Sequence, residues 1–124
     1  MDRINAAQDK PTAHLACDLS AISSDERLRY HKLRALLCAA LISWRELGGG
    51  YALRLNDERI SREEVSEWIK MERVCCPWLS IQAEQAPRGA LEVRIIGPAE
   101  AKQVLRAEFA ELLERTISQD EVSR

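Results

Sequence analysis

The sequence has no long hydrophobic run, no block of like charge and no phosphate-binding signature, and each absence removes a class of function. Its longest apolar stretch, around Leu36 to Ile42, is short and amphipathic, so nothing predicts a membrane-spanning helix. No basic run or basic face stands out; the net charge is −2 and the pI near 5.7, a balance that argues against a nucleic-acid partner. The opening residues Met1-Asp2-Arg3 lead into polar sequence without an apolar core, so no secretory signal is expected. The expected compartment is the cytoplasm, where thiols stay reduced. The cysteines at 17, 38, 75 and 76 have neither C-x-x-C nor zinc-ribbon spacing. There is no glycine-rich phosphate loop, no G-x-S-x-G elbow and no H-E-x-x-H helix. No arginine stands six positions after any cysteine, which excludes the phosphatase-like C-x5-R pattern.

What is there describes an ordinary globular chain. Hydrophobic residues make up 46% of the 124 and charged residues 31%, enough for a core without staples. Residues 1–14 are polar, contain Pro11 and show no periodicity, and are read as a tail; residues 15–118 form a single domain, and 119–124 a frayed end. Ser23 with Glu26 three positions on is a capping box that starts the first helix. Leu33, Leu37, Ala40, Leu41 and Trp44 line one face of that helix, which is expected to run until Gly48-Gly49-Gly50 stops it. Tyr51, Leu53 and Leu55 alternate with Ala52 and Arg54 in a first strand. Ser61 and Glu64 form a second capping box, with Ile60 and Val65 placed as a hydrophobic staple. Pro77 disfavours helical geometry at Cys76 and so ends the second helix near Val74 or Cys75. Leu79 to Gln85 alternates as a second strand, Ala86-Pro87-Arg88-Gly89 is a hairpin connection, and Leu91, Val93 and Ile95 mark a third. Gly97-Pro98 opens a last helix whose buried stripe is Leu105, Phe109, Leu112 and Leu113.

The expected architecture is therefore α+β, in the order α-β-α-β-β-α. A crossover through the second helix makes the first two strands parallel, and the third fits between them, antiparallel to both. This gives a three-stranded, mostly antiparallel sheet of order 1-3-2, half of a ferredoxin-like unit, with 1-2-3 as the alternative. Helices should cover one face. The other carries Arg54, Gln82, Glu84, Glu92 and Arg94, and is either wet or a polar dimer surface.

The candidate site is the stretch Met71 to Leu79. At about 100° per residue, Val65, Ile69, Glu72 and Cys76 fall within one arc, with Trp68 and Cys75 on its flank. Glu72 thus lies inside an apolar stripe, where a carboxylate must be neutral, paired or bound to something. Cys76 is one turn further on, within reach of that acid. Two adjacent thiolates can grip a soft ion such as Hg(II), As(III), Cu(I) or Zn(II), and Cys17 could fold back as a third ligand. Against this, reduced cysteine is among the most buried residue types, and Cys75 and Cys76 fit equally well as small core residues where helix meets sheet. The plainer role for Glu72 is an ion pair with Arg45, Arg54 or Arg73. Cys38 and His31 lie close in angle on the first helix but lack an orienting third group for catalysis.

Cys17-Asp18-Leu19, Gly50-Tyr51-Ala52-Leu53-Arg54, Glu72-Arg73-Val74-Cys75-Cys76-Pro77-Trp78-Leu79 and Gly97-Pro98 resemble a group of small uncharacterised bacterial proteins marked by E-R-x-C-C-P-aromatic-L. The resemblance spans roughly residues 17 to 115. It implies no settled activity, and draws attention to Glu72, Arg73, Cys75, Cys76 and Cys17. Two functional expectations follow. One is a soft metal or metalloid site formed by Cys75, Cys76, Cys17 and Glu72. The other is a non-enzymatic self-associating or adaptor module with structural cysteines. Thiol-redox chemistry is the one enzymatic alternative.

Overall fold

The computed structural model describes residues 18–114. The expected tail over 1–14, Cys17, and the expected frayed end over 119–124 lie outside the described residues. Asp18 caps a short 3-10 turn, Leu19–Ala21, through its carboxylate and Ser20, and those hydrogen bonds hold its pKa below the usual value. The first helix, α1, spans Ser24–Ala40, and the second, α2, spans Arg62–Cys75. Both begin with complete capping boxes, Ser23 with Glu26 and Ser61 with Glu64, as their spacing predicts. Ile60 and Val65 are both buried in the core at the start of α2.

The sheet has four strands where three are expected. They are β1 (Leu41–Leu47), β2 (Gly50–Asn56), β3 (Ser80–Ala86) and β4 (Ala90–Ile96), in the order β1-β2-β4-β3 with every neighbouring pair antiparallel. The three expected strands are arranged as predicted: β4 sits between β2 and β3, which are therefore parallel to each other. The addition is β1. The first helix does not continue to the glycines; it ends at Ala40, and the chain passes directly into a strand. Trp44 continues the helical stripe of Leu33, Leu37 and Ala40, so a 3.6-residue period runs on past the true end. The contrary signal is Gly48-Gly49 between β1 and β2, a two-residue hairpin connection. Gly50 is obligatory: a Cβ there would lie 1.8 Å from the Ile95 carbonyl oxygen on β4. At the β3–β4 turn, Arg88 and Gly89 take left-handed backbone with φ of 66° and 69°.

Tyr51, Leu53 and Leu55 of β2, Ile81 of β3 and Leu91, Val93 and Ile95 of β4 are buried in one cluster with Leu33, Leu37, Val65 and Trp68 of the helices. Arg45, Gln82 and Arg94 line a concavity on the opposite face. After β4 a 3-10 turn, Ala99–Ala101, follows Pro98 and leads to α3 (Lys102–Glu108) and α4 (Ala110–Leu113). The single last helix expected from the stripe is thus broken at Phe109, whose backbone (φ −111°, ψ 21°) leaves the helical region. The break keeps Leu105, Phe109, Leu112 and Leu113 all in the core.

Candidate functional site

Glu72 is the organising residue of the helix end. It lies on the buried stripe of α2 and is 1% exposed. Its Oε2 accepts three hydrogen bonds: from Tyr30 Oη at 2.6 Å, from Trp68 Nε1 at 3.0 Å and from Arg34 Nη1 at 3.0 Å. Arg34 Nη1 also donates to Tyr30 Oη at 2.7 Å, closing a ring of polar contacts inside the core. The second guanidinium nitrogen, Nη2, reaches the last helices, donating to the Glu108 carbonyl at 2.5 Å and to Glu111 at 3.1 Å. Its face rests on the Phe109 ring, 4.7 Å from the centroid. Arg34 Nε is buried without a partner among the described residues.

The partner of Glu72 is therefore Arg34, not the expected Arg45, Arg54 or Arg73. Arg45 pairs with Glu92 on the sheet, and Arg54 donates to the Pro87 carbonyl. A sequence signal for Arg34 existed: Tyr30, Leu33, Arg34 and Leu37 follow the i, i+3, i+4, i+7 spacing of one buried face. Arg34 stands out of type on the stripe of α1 as Glu72 does on that of α2.

The electrostatics follow from burial. Desolvation pushes the Glu72 carboxyl upward in pKa, opposed by the hydrogen bond from Tyr30, the charge of Arg34 and the hydrogen bond from Trp68. Desolvation also works against the charge on Arg34, but Tyr30, Glu72 and Glu111 outweigh it and hold the guanidinium above its ordinary value. Tyr30 is driven up chiefly by burial and stays a neutral donor. Such a cluster costs desolvation energy and returns it only while every member is satisfied.

The two cysteines at the helix end differ. Cys75 is 2% exposed and carries a free thiol. Burial raises its pKa, and the charges of Glu72 and Asp18 raise it further. Cys76 is fully buried and disulfide-bonded, in contrast to the expectation of reduced thiols. Its Sγ lies 3.8 Å from Glu72 Oε1, so acid and sulfur are neighbours as the i, i+4 spacing predicts. The helix ends here: the Cys76 amide donates to Glu72 O at 2.6 Å, and Pro77 follows. Cys17 lies outside the described residues. Its neighbour Asp18 donates its backbone N–H to the Cys75 carbonyl at 2.9 Å, tying the start of the described chain to the helix end. Among the described residues, no group of three or more His, Cys, Asp or Glu side chains is placed to hold a metal ion.

Openings near this centre are small. A cleft of about 150 Å³ lies beside it, lined by Leu19, Tyr30, His31, Arg34, Glu108 and Glu111. A larger concavity, about 500 Å³, is on the far side of the sheet between Arg45, Gln82 and Arg94. Among the described residues, no helix is long and apolar enough to cross a membrane. No protein-family profile matches the chain, and neither curated proteins nor solved structures give a match.

Proposed function

We propose that the chain is a non-catalytic, self-associating module in which Glu72, Cys75 and Cys76 are structural. The observation that carries this reading is the saturation of Glu72 Oε2 by Tyr30, Trp68 and Arg34 at 1% exposure. An acid so engaged pins α1 to α2 and is not poised to meet a substrate. The burial of both sulfurs supports the same reading. Two measurements test it. Cys75 should resist iodoacetamide in the folded protein and react once urea unfolds it; light scattering should show a mass that rises from monomer towards dimer with concentration. Rapid labelling of native Cys75, or a strict monomer at every concentration, counts against the module.

A second reading is favoured by the contact of Cys76 Sγ with Glu72 Oε1 and by the Asp18–Cys75 backbone bond, which keeps the segment next to Cys17 beside the pair. On this reading the reduced protein binds a soft metal or metalloid through Cys75, Cys76 and Cys17, with Glu72 alongside. Titration of reduced protein with Hg(II), As(III) or Zn(II) tests it, and equal affinity in the Cys75→Ser/Cys76→Ser double variant would remove it.

A further inference from the structure

We propose that the outer face of the sheet is where a second copy of this chain docks, with a two-fold axis running parallel to the strands between β2 and β4. The inference rests on the self-association proposed above and names the surface that serves it. Register sets three outward cross-strand pairs at the middle of this face: Arg54 with Glu92, Ala52 with Arg94, and Gly50 with Ile96. In each pair the two members differ in charge or in size. A two-fold axis parallel to the strands lays β2 of one copy over β4 of the other. It sets Arg54 opposite Glu92 of the second copy, twice, and sets Arg94 over Ala52 and Ile96 over Gly50. A two-fold axis across the strands instead places Glu92 against Ile96 and Arg54 against Gly50, so that neither charge gains a partner on the second copy beyond Arg45 and the Pro87 carbonyl that they meet within their own. Sheets stacked face to face rotate by about 30°, and positions beside the axis are displaced least.

The relief of the face fits this arrangement. Gly50 can carry no side chain, and the concavity bounded by Arg45, Gln82 and Arg94 lies on this face with Ala52 at its floor. Ala52 is already covered within its own copy at 3% exposure, so the second copy's Arg94 meets the rim of the concavity and not Ala52 itself. Within one copy Glu92 bonds Arg45 at 2.7 Å and lies 3.5 Å from Arg94. The face therefore carries both signs of charge, and the opposed pairs are Arg54 with Glu92. The second copy's Arg94 comes down between Arg45 and Arg94, which flank Ala52 on the neighbouring strands, a like-charge row that weakens the contact. The flat footprint of the sheet gives the size class of the contact. Four strands of seven residues at ~3.3 Å per residue and ~4.8 Å spacing give roughly 440 Å² per copy. That is about half of the ~800 Å² per partner typical of a stable complex, so the dimer is weak and concentration-dependent.

Sedimentation equilibrium on the full chain, up to about 1 mM, reads the association constant. Arg54→Glu and Glu92→Arg, each checked for folding by circular dichroism, should each weaken association at least about tenfold, because each sets like charges face to face twice. An equimolar mixture of the two variants should associate almost as well as the parent chain. In the mixed pair one copy presents acids at both positions and the other presents arginines at both, so opposite charges meet in both places. A parent chain that is monomeric throughout removes the self-association reading itself. A parent dimer left unchanged by both variants leaves that reading standing and overturns this surface. Weakened variants whose mixture shows no recovery overturn the proposed two-fold register.

Discussion

Two ion pairs cross the same seam between α1 and α2. Arg29 and Glu67 form a two-pronged pair with both contacts at 2.9 Å, and their side chains are 41% and 39% exposed. Arg34 and Glu72, five positions on along each helix, meet through one contact at 3.0 Å, with exposures of 8% and 2%. By geometry alone the outer pair is the better one. Its partners already have water as an alternative, however, and salt screens what remains. The inner pair has no such alternative. Removing one member leaves a charge stranded in the core, so the pair with the poorer geometry carries the larger consequence. Burial, not hydrogen-bond geometry, ranks the two.

The widest expected separation comes from Glu72→Gln. It removes the carboxylate that Arg34, Tyr30 and Trp68 converge on, and should lower unfolding stability in urea by about 3–5 kcal/mol. A loss below that of an ordinary surface substitution would erase the distinction between the pairs. Tyr30→Phe is next: it removes one of the three donors to Oε2 and one of the two acceptors of Arg34 Nη1. About 1–3 kcal/mol is expected, and a double-mutant cycle with Glu72→Gln should be strongly non-additive.

Cys75 sharpens the comparison through pH. Its thiol pKa is raised by burial first and by the Glu72 charge second, so the folded chain keeps its proton at pH values where the unfolded chain has lost it. Stability should therefore fall as pH rises above about 8.5, the ordinary thiol value. Between about pH 8.5 and 10, below the range where the raised Tyr30 hydroxyl adds its own loss, the fall should vanish in Cys75→Ala and shrink but persist in Glu72→Gln. An unchanged alkaline slope in Cys75→Ala assigns the effect elsewhere. The smallest effect is expected from Arg29→Ala, whose urea midpoint should match the parent in high salt; a clear loss there would mean that the exposed pair matters as the buried one does.

Much of the local structure was legible. Both capping boxes, the end of α2 ahead of Pro77 and the inward sets on β2 and β4 follow from short-range patterns, and the placement of β4 between β2 and β3 from the crossover through α2. The candidate site was legible in part. Glu72 on a buried stripe with Cys76 one turn away is a matter of helical period, and the structure puts Oε1 and Sγ 3.8 Å apart. Its cation was not: the arginines expected to answer it belong to the sheet and to α2, whereas Arg34 lies on the opposing stripe of α1.

Local residue pattern is enough to set where helices start, which faces are apolar, and that an acid must be buried beside a vicinal cysteine pair. Capping, alternation and proline geometry act within a few residues, so they survive without knowledge of the fold. It takes the folded chain to make residues 41–47 a strand, to bring Arg34 to Glu72, and to bridge Cys76 while leaving Cys75 a free thiol. Each of those depends on a partner distant in the chain. Leu41 to Leu47 has apolar positions that suit a helix as well as a strand, and the exposed backbone edge of β2 settles it; a buried carboxylate takes whichever guanidinium packing brings to it.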